Sequence, residues 1–118
     1  MIHIDSNNLY YGSIHVSTSY PIKEAHQIGN AVLVLIDPSS YLNDSSYPKE
    51  RRRGVNALRN LLLFSDQGKL IWEAEFPEHV DYYYRIISTS PIVVYSFSSY
   101  QCMIDINSGK IMEMEFMK

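Results

Sequence analysis

At 118 residues the chain has room for one core of ordinary size and not for two. A hydrophobic share of 46 % excludes general disorder, and a single cysteine excludes an internal disulfide framework. The formal net charge of −3 weighs against a dedicated nucleic-acid binder, which neutralises phosphates with a basic face.

Taken in chain order, Met1 to Asp5 carries neither the basic nor the apolar region of a secretory signal. The next residues are polar and broken by Asp5 to Asn8 and by Gly12, so only the alternation of Ile14 and Val16 reads as a strand. Ile22 to Ile28 and Ala31 to Ile36 flank Gly29-Asn30, a hairpin signal because glycine supplies positive φ without steric cost. Ala31 to Ile36 is apolar on both faces and is expected to be a central, covered strand. It is also the longest apolar run and far too short to span a bilayer. The expected compartment is therefore a reducing cytoplasm, with no membrane partner and with Cys102 as a buried, inert thiol.

From Asp37 to Arg59 the composition turns to Ser, Asn, Pro and charge, which predicts one long surface loop with at most a short helix. Beyond it the strand signals are regular. Asn60 to Phe64, Leu70 to Phe76, Asp81 to Ser88, Ile92 to Phe97, Tyr100 to Ile106 and Lys110 to Phe116 are separated by short turns. Alternation puts Leu70, Trp72, Ala74 and Phe76 on one face of their strand. The fold class expected is all-β: a single domain over residues 1–118, an antiparallel meander of about seven to nine strands with one long loop. Blade-like, sandwich and half-barrel arrangements all remain open. Leu33, Val34, Leu35, Leu62, Phe64, Leu70, Trp72, Ile92, Val94, Ile104 and Ile111 form the expected core.

Residues 60–72 superpose on residues 101–113, with Gly68 lying over Gly109. The period, about 40 residues, is the size of a propeller blade. Each copy is an apolar strand, a glycine turn, a lysine and a second apolar strand. The turn Asp105-Ile106-Asn107-Ser108-Gly109-Lys110 and the strand carrying Trp72 resemble the blades of quinoprotein-type β-propellers. One copy has Glu113 where the tryptophan falls and the other has Phe64 where the aspartate falls, and no ligand residues for a quinone are present. Closure needs at least four blades, so open sheet edges are expected. In its size, acidity, cytosolic character and blade-like sheets the whole chain also resembles the small immunity proteins of bacterial contact-dependent growth-inhibition systems.

Catalysis, cofactors and metals are not expected. His3, His15, His26 and His79 lack the close pairing of zinc sites, no nucleophile elbow occurs, and the five glycines are isolated turn residues. The candidate residues are instead those of a partner surface. Glu73, Glu75, Glu78 and Asp81 crowd one strand and turn, and read either as a patch for a basic partner or as a solvated strand face. If Tyr82 and Tyr84 join the core beside Ile86, Tyr83 faces outward with Arg85. The 37–59 loop offers Tyr41, Asp44, Tyr47, Arg51 and Arg52; its arginines could grip phosphate or carboxylate, but in an acidic chain they read mainly as solvated. The expected function is that of an immunity protein covering the active site of a cognate toxin, a basic domain such as a nuclease. The alternative is a non-catalytic β module that assembles with itself as a homo-oligomer.

Overall fold

The chain's short alternating runs form eleven strands and one short helix in the computed structural model, which describes residues 1–42, 58–78 and 81–117. Strands β1 (Ile2–Asp5), β2 (Asn8–Tyr11) and β3 (Ile14–Ser17) make sheet 1. Strands β4 (Ile22–Ile28), β5 (Ala31–Ile36), β6 (Leu61–Phe64) and β7 (Leu70–Glu73) make sheet 2. Strands β8 (Tyr83–Thr89), β9 (Ile92–Ser96), β10 (Tyr100–Ile104) and β11 (Ile111–Phe116) make sheet 3. Every pairing is antiparallel and joins strands that are neighbours in the sequence, so each sheet is a meander. The fold is all-β.

The strand count exceeds the expected seven to nine largely at the N-terminus. There β2 and β3 each bury one residue, Leu9 and Val16, and β1 buries none fully, so the apolar alternation that marks a strand is nearly absent. Their hairpins depend on turns with positive φ at Ser6 and Gly12.

Sheet 2 is the middle layer. Along β5, Val32, Val34 and Ile36 face one core with Leu9 and Val16 of sheet 1, while Leu33 and Leu35 face the other core with Tyr83, Ile92, Val94, Cys102 and Ile104 of sheet 3. Strand β6 divides likewise, with Leu62 and Phe64 towards sheet 1 and Leu61 and Leu63 towards sheet 3. A strand buried on both faces must be apolar at every position, which explains why these two runs do not alternate. Leu70, expected in the core, is 49 % exposed. The pairings Leu63↔Trp72 and Phe64↔Leu70 leave Ile71 as an extra bulge residue, and the bulge turns Leu70 out of line with Trp72. The same bulge recurs at the equivalent place in sheet 3, where Met103↔Glu113 and Ile104↔Ile111 leave out Met112.

The sheets stack through a repeated contact. Trp72 Nε1 donates to the Ile106 carbonyl oxygen (2.7 Å), and its indole lies on Gly109, where a Cβ would come within 2.7 Å of the ring. Gly109 has φ +75°, so both its conformation and its missing side chain are required. Between sheets 1 and 2, Tyr11 Oη donates to the Ser65 carbonyl oxygen (2.6 Å), and Ile14 lies against Gly68. Ser65 and Ile106, like Gly68 and Gly109, are equivalent positions of the sequence repeat: one device joins both pairs of sheets.

The two sheets differ between their second and third strands. Sheet 3 turns from β9 to β10 through Phe97, Ser98 and Ser99 alone, whereas in sheet 2 residues 37–60 separate β5 from β6, and residues 43–57 of the expected loop lie outside the described residues. Helix α1 (Pro38–Leu42) follows β5, and there Asp37 Oδ1 accepts the Ser39 N–H at 3.1 Å. Asn60, fully buried just before β6, ties sheets together: its Nδ2 donates to the carbonyls of Ile36 (3.1 Å) and Tyr83 (2.6 Å), and its Oδ1 accepts the Tyr83 N–H (3.0 Å).

Cys102 is fully buried beside Tyr83, and burial pushes its thiol up to about 11; burial likewise raises the Tyr83 phenol. Both groups fold in the protonated form, so the unfolded chain binds fewer protons above its own thiol value. Stability is complete below that value and falls as pH rises. For Cys102 alone the loss between pH 9 and 11 amounts to about 2–3 kcal/mol. Urea midpoints from pH 8 to 11 should therefore fall, and fall less steeply in Cys102→Ala. Parallel pH profiles would contradict this assignment.

Candidate functional site

Among the described residues, stacking covers sheet 3 on one face only. Its core-facing side holds Tyr83, Ile92, Val94, Cys102 and Ile104, and the strand register defines the other side. Directly opposed residues share a face in antiparallel pairing, which gives two transverse rows. One row is Arg85, Tyr95, Gln101 and Glu115; the other is Ser88, Val93, Met103 and Glu113. The centre of the face is apolar and half-buried, through Val93, Tyr95 and Met103. Its β11 border carries the exposed carboxylates of Glu113 and Glu115, and its β8 border carries Arg85. Val93, Gln101, Met103, Glu113, Met114 and Glu115 line a shallow depression of about 520 Å³. The Tyr84 ring leans against Tyr95 with centroids 6.2 Å apart. Among the described residues the one ion pair is His26 with Glu24 (3.0 Å), so Glu113 and Glu115 have no cationic partner there.

The side chains of this face suit contact with another molecule. A thioether floor adapts to varied shapes, tyrosine combines area with a polar tip, and rim carboxylates attract cations from a distance. Among the described residues no group of three or more His, Cys, Asp or Glu side chains is placed to hold a metal ion. On the opposite end of the stack, sheet 1 shows His3, Tyr10 and His15 side by side across its three strands, with Tyr10 and His15 stacked at 4.6 Å.

The residues singled out from the sequence are dispersed. Tyr41 is 2 % exposed and belongs to the core between sheets 1 and 2. Tyr83 points inward, not outward: bulges at Tyr83/Arg85 and Ile86/Ser88 break the simple alternation of β8. Its hydroxyl donates to the Glu75 carbonyl oxygen (2.5 Å). Asp81 is 7 % exposed, and its carboxylate accepts from the Tyr82 N–H (2.9 Å), the Ser98 N–H (3.2 Å) and the Ser98 hydroxyl (2.5 Å). Glu75 bridges two sheets, since its Oε1 accepts the Ile111 N–H (2.9 Å) and its own N–H donates to the Gly109 carbonyl oxygen (2.9 Å). These carboxylates are occupied by backbone, which leaves only Glu73 and Glu78 of that stretch exposed. Asp44, Tyr47, Arg51 and Arg52 lie outside the described residues, as does His79. Sequence reasoning does not single out the outer face of sheet 3, although one signal points to it: a carboxylate, Glu113, where the repeat places the docking tryptophan.

Residues 1–116 match the family described as a domain of unknown function, DUF7957, and the chain belongs to that family. No curated protein and no solved structure matches the chain. No helix among the described residues is long and apolar enough to cross a membrane.

The two kinds of carboxylate should separate in stability measurements. Asp81→Ala leaves buried donors unpaired and should cost about 1–3 kcal/mol, whereas Glu113→Ala on the open face should stay within about 0.5 kcal/mol. Urea denaturation decides it; equal costs would mean that the outer face of sheet 3 is not free.

Proposed function

We propose that this chain is a binding protein without chemistry of its own, which masks a basic protein partner with the outer face of sheet 3. The observation that carries this reading is the pair of residue rows on that face, apolar at the centre and bordered by two carboxylates with no cationic partner among the described residues. Small size and net negative charge fit a cytoplasmic immunity protein. In that role the partner is a toxin domain, and a nuclease is the natural class, because an active cleft that binds phosphate is itself basic. Glu113 and Glu115 then stand where the phosphates of the toxin's substrate would lie, while Met103, Val93 and Tyr95 exclude water beneath them.

Charged rims act mainly on the approach of two proteins. Stopped-flow association with a cognate toxin domain should show the Glu113→Lys, Glu115→Lys double variant slower by about tenfold or more at low ionic strength. The gap should close as salt screens the field. Unchanged association at low salt would move the binding surface elsewhere, and failure of the chain to form any complex with that domain or protect a cell from it would remove the immunity role.

A further inference from the structure

The border of the open face is also an unpaired strand. Sheet 3 ends at β11, which pairs with β10 on one side and, among the described residues, with no strand on the other. The Met117 N–H donates to the Ser99 carbonyl oxygen (2.7 Å), which fixes the alternation along the strand. Met117, Glu115 and Glu113 turn their backbone groups into the sheet, and Phe116 and Met114 turn theirs to the open edge. Among the described residues nothing takes up those outward groups. Side chains here are exposed as well: Met112 at 61 %, Met114 at 50 % and Phe116 at 59 %.

Other edges are better guarded. Strand β8 carries two bulges and Lys23 Nζ donates to its Tyr84 carbonyl oxygen at 2.7 Å. Strand β4 packs against β1, and β7 is only four residues long. The six-residue β11 is the long open edge among the described residues, and such an edge either finds a strand or is protected from finding the wrong one.

Charge decides which strand fits. In an antiparallel pairing of β11 with the same strand of a second copy, directly opposed residues share a face. Centring the pair on Met114 sets Glu113 against Glu115 twice, and centring it on Glu113 or on Glu115 sets a glutamate against itself. The registers that avoid this pair only a short part of the strand. Like charges directly opposite destabilise, so the second copy is repelled, and a strand with lysine or arginine at the same positions is attracted.

We infer that β11 receives an extended segment of the partner by strand addition: main-chain hydrogen bonds form at Met114 and Phe116, and alternate basic side chains sit opposite Glu113 and Glu115. This rests on the partner-masking reading above and specifies how the partner engages it. Opposite Met112, Met114 and Phe116 the segment would present apolar residues.

The test uses two short capped peptides, one alternating lysine with valine and one alternating glutamate with valine, and amide hydrogen exchange read by NMR on the full chain. The lysine peptide should slow exchange at Met114 and Phe116 by about tenfold or more, and the glutamate peptide should not. Met114→Pro should abolish the protection without unfolding the sheet, because that amide serves no bond within it. The Glu113→Lys, Glu115→Lys variant should reverse the peptide preference. Absence of protection by the lysine peptide, equal protection by both, or protection that rises with protein concentration and no peptide would each overturn the inference. If the toxin complex forms but Met114→Pro leaves its affinity unchanged, strand addition fails while masking by the outer face stands.

Discussion

A tryptophan lying where a glycine has no side chain sets how sheets 2 and 3 meet. The Trp72 indole fills the space over Gly109 and donates to Ile106, and Tyr11 and Ile14 do the same to the equivalent turn of sheet 2. Each contact couples a large apolar surface to one directional hydrogen bond, so it fixes both the spacing and the rotation of neighbouring sheets. From that follows the sequence of sheet 2, apolar at every position of β5 and β6 because both of its faces are covered.

Among the described residues this contact is not repeated beyond sheet 3. Glu113 occupies the repeat position equivalent to Trp72, and a carboxylate cannot enter an apolar dock without losing its hydration. An exposed glutamate therefore borders a face that no fourth sheet covers among the described residues. The same residue, with Glu115, sets like charges against each other in any pairing of β11 with a second copy centred on Glu113, Met114 or Glu115.

Much of the fold is legible because its determinants are local. Gly29-Asn30, the repeat around Gly68 and Gly109, and the doubly apolar Ala31–Ile36 run each specify a hairpin or a covered strand within a few residues. The N-terminal strands are illegible because their stability comes from docking on sheet 2, through Leu9, Tyr11 and Val16, and little from their own alternation. The site is less legible still. Bulges in β8, β7 and β11 shift faces by one residue, which takes Tyr83 inward and Leu70 outward. Nor does composition distinguish a carboxylate free on a surface, such as Glu113, from one consumed by backbone amides, such as Asp81. That distinction belongs to tertiary structure.

A double-mutant cycle between Trp72→Ala and Gly109→Ala tests the docking contact most directly. Each change alone should destabilise: the first empties the dock, and the second drives a methyl group into the indole at a residue with φ +75°. With the ring gone the added methyl has space, so the double variant should be more stable than the sum of the two losses predicts, by about 1 kcal/mol or more. Losses that add to within about 0.5 kcal/mol would show that the indole and the glycine do not hold the sheets together as described.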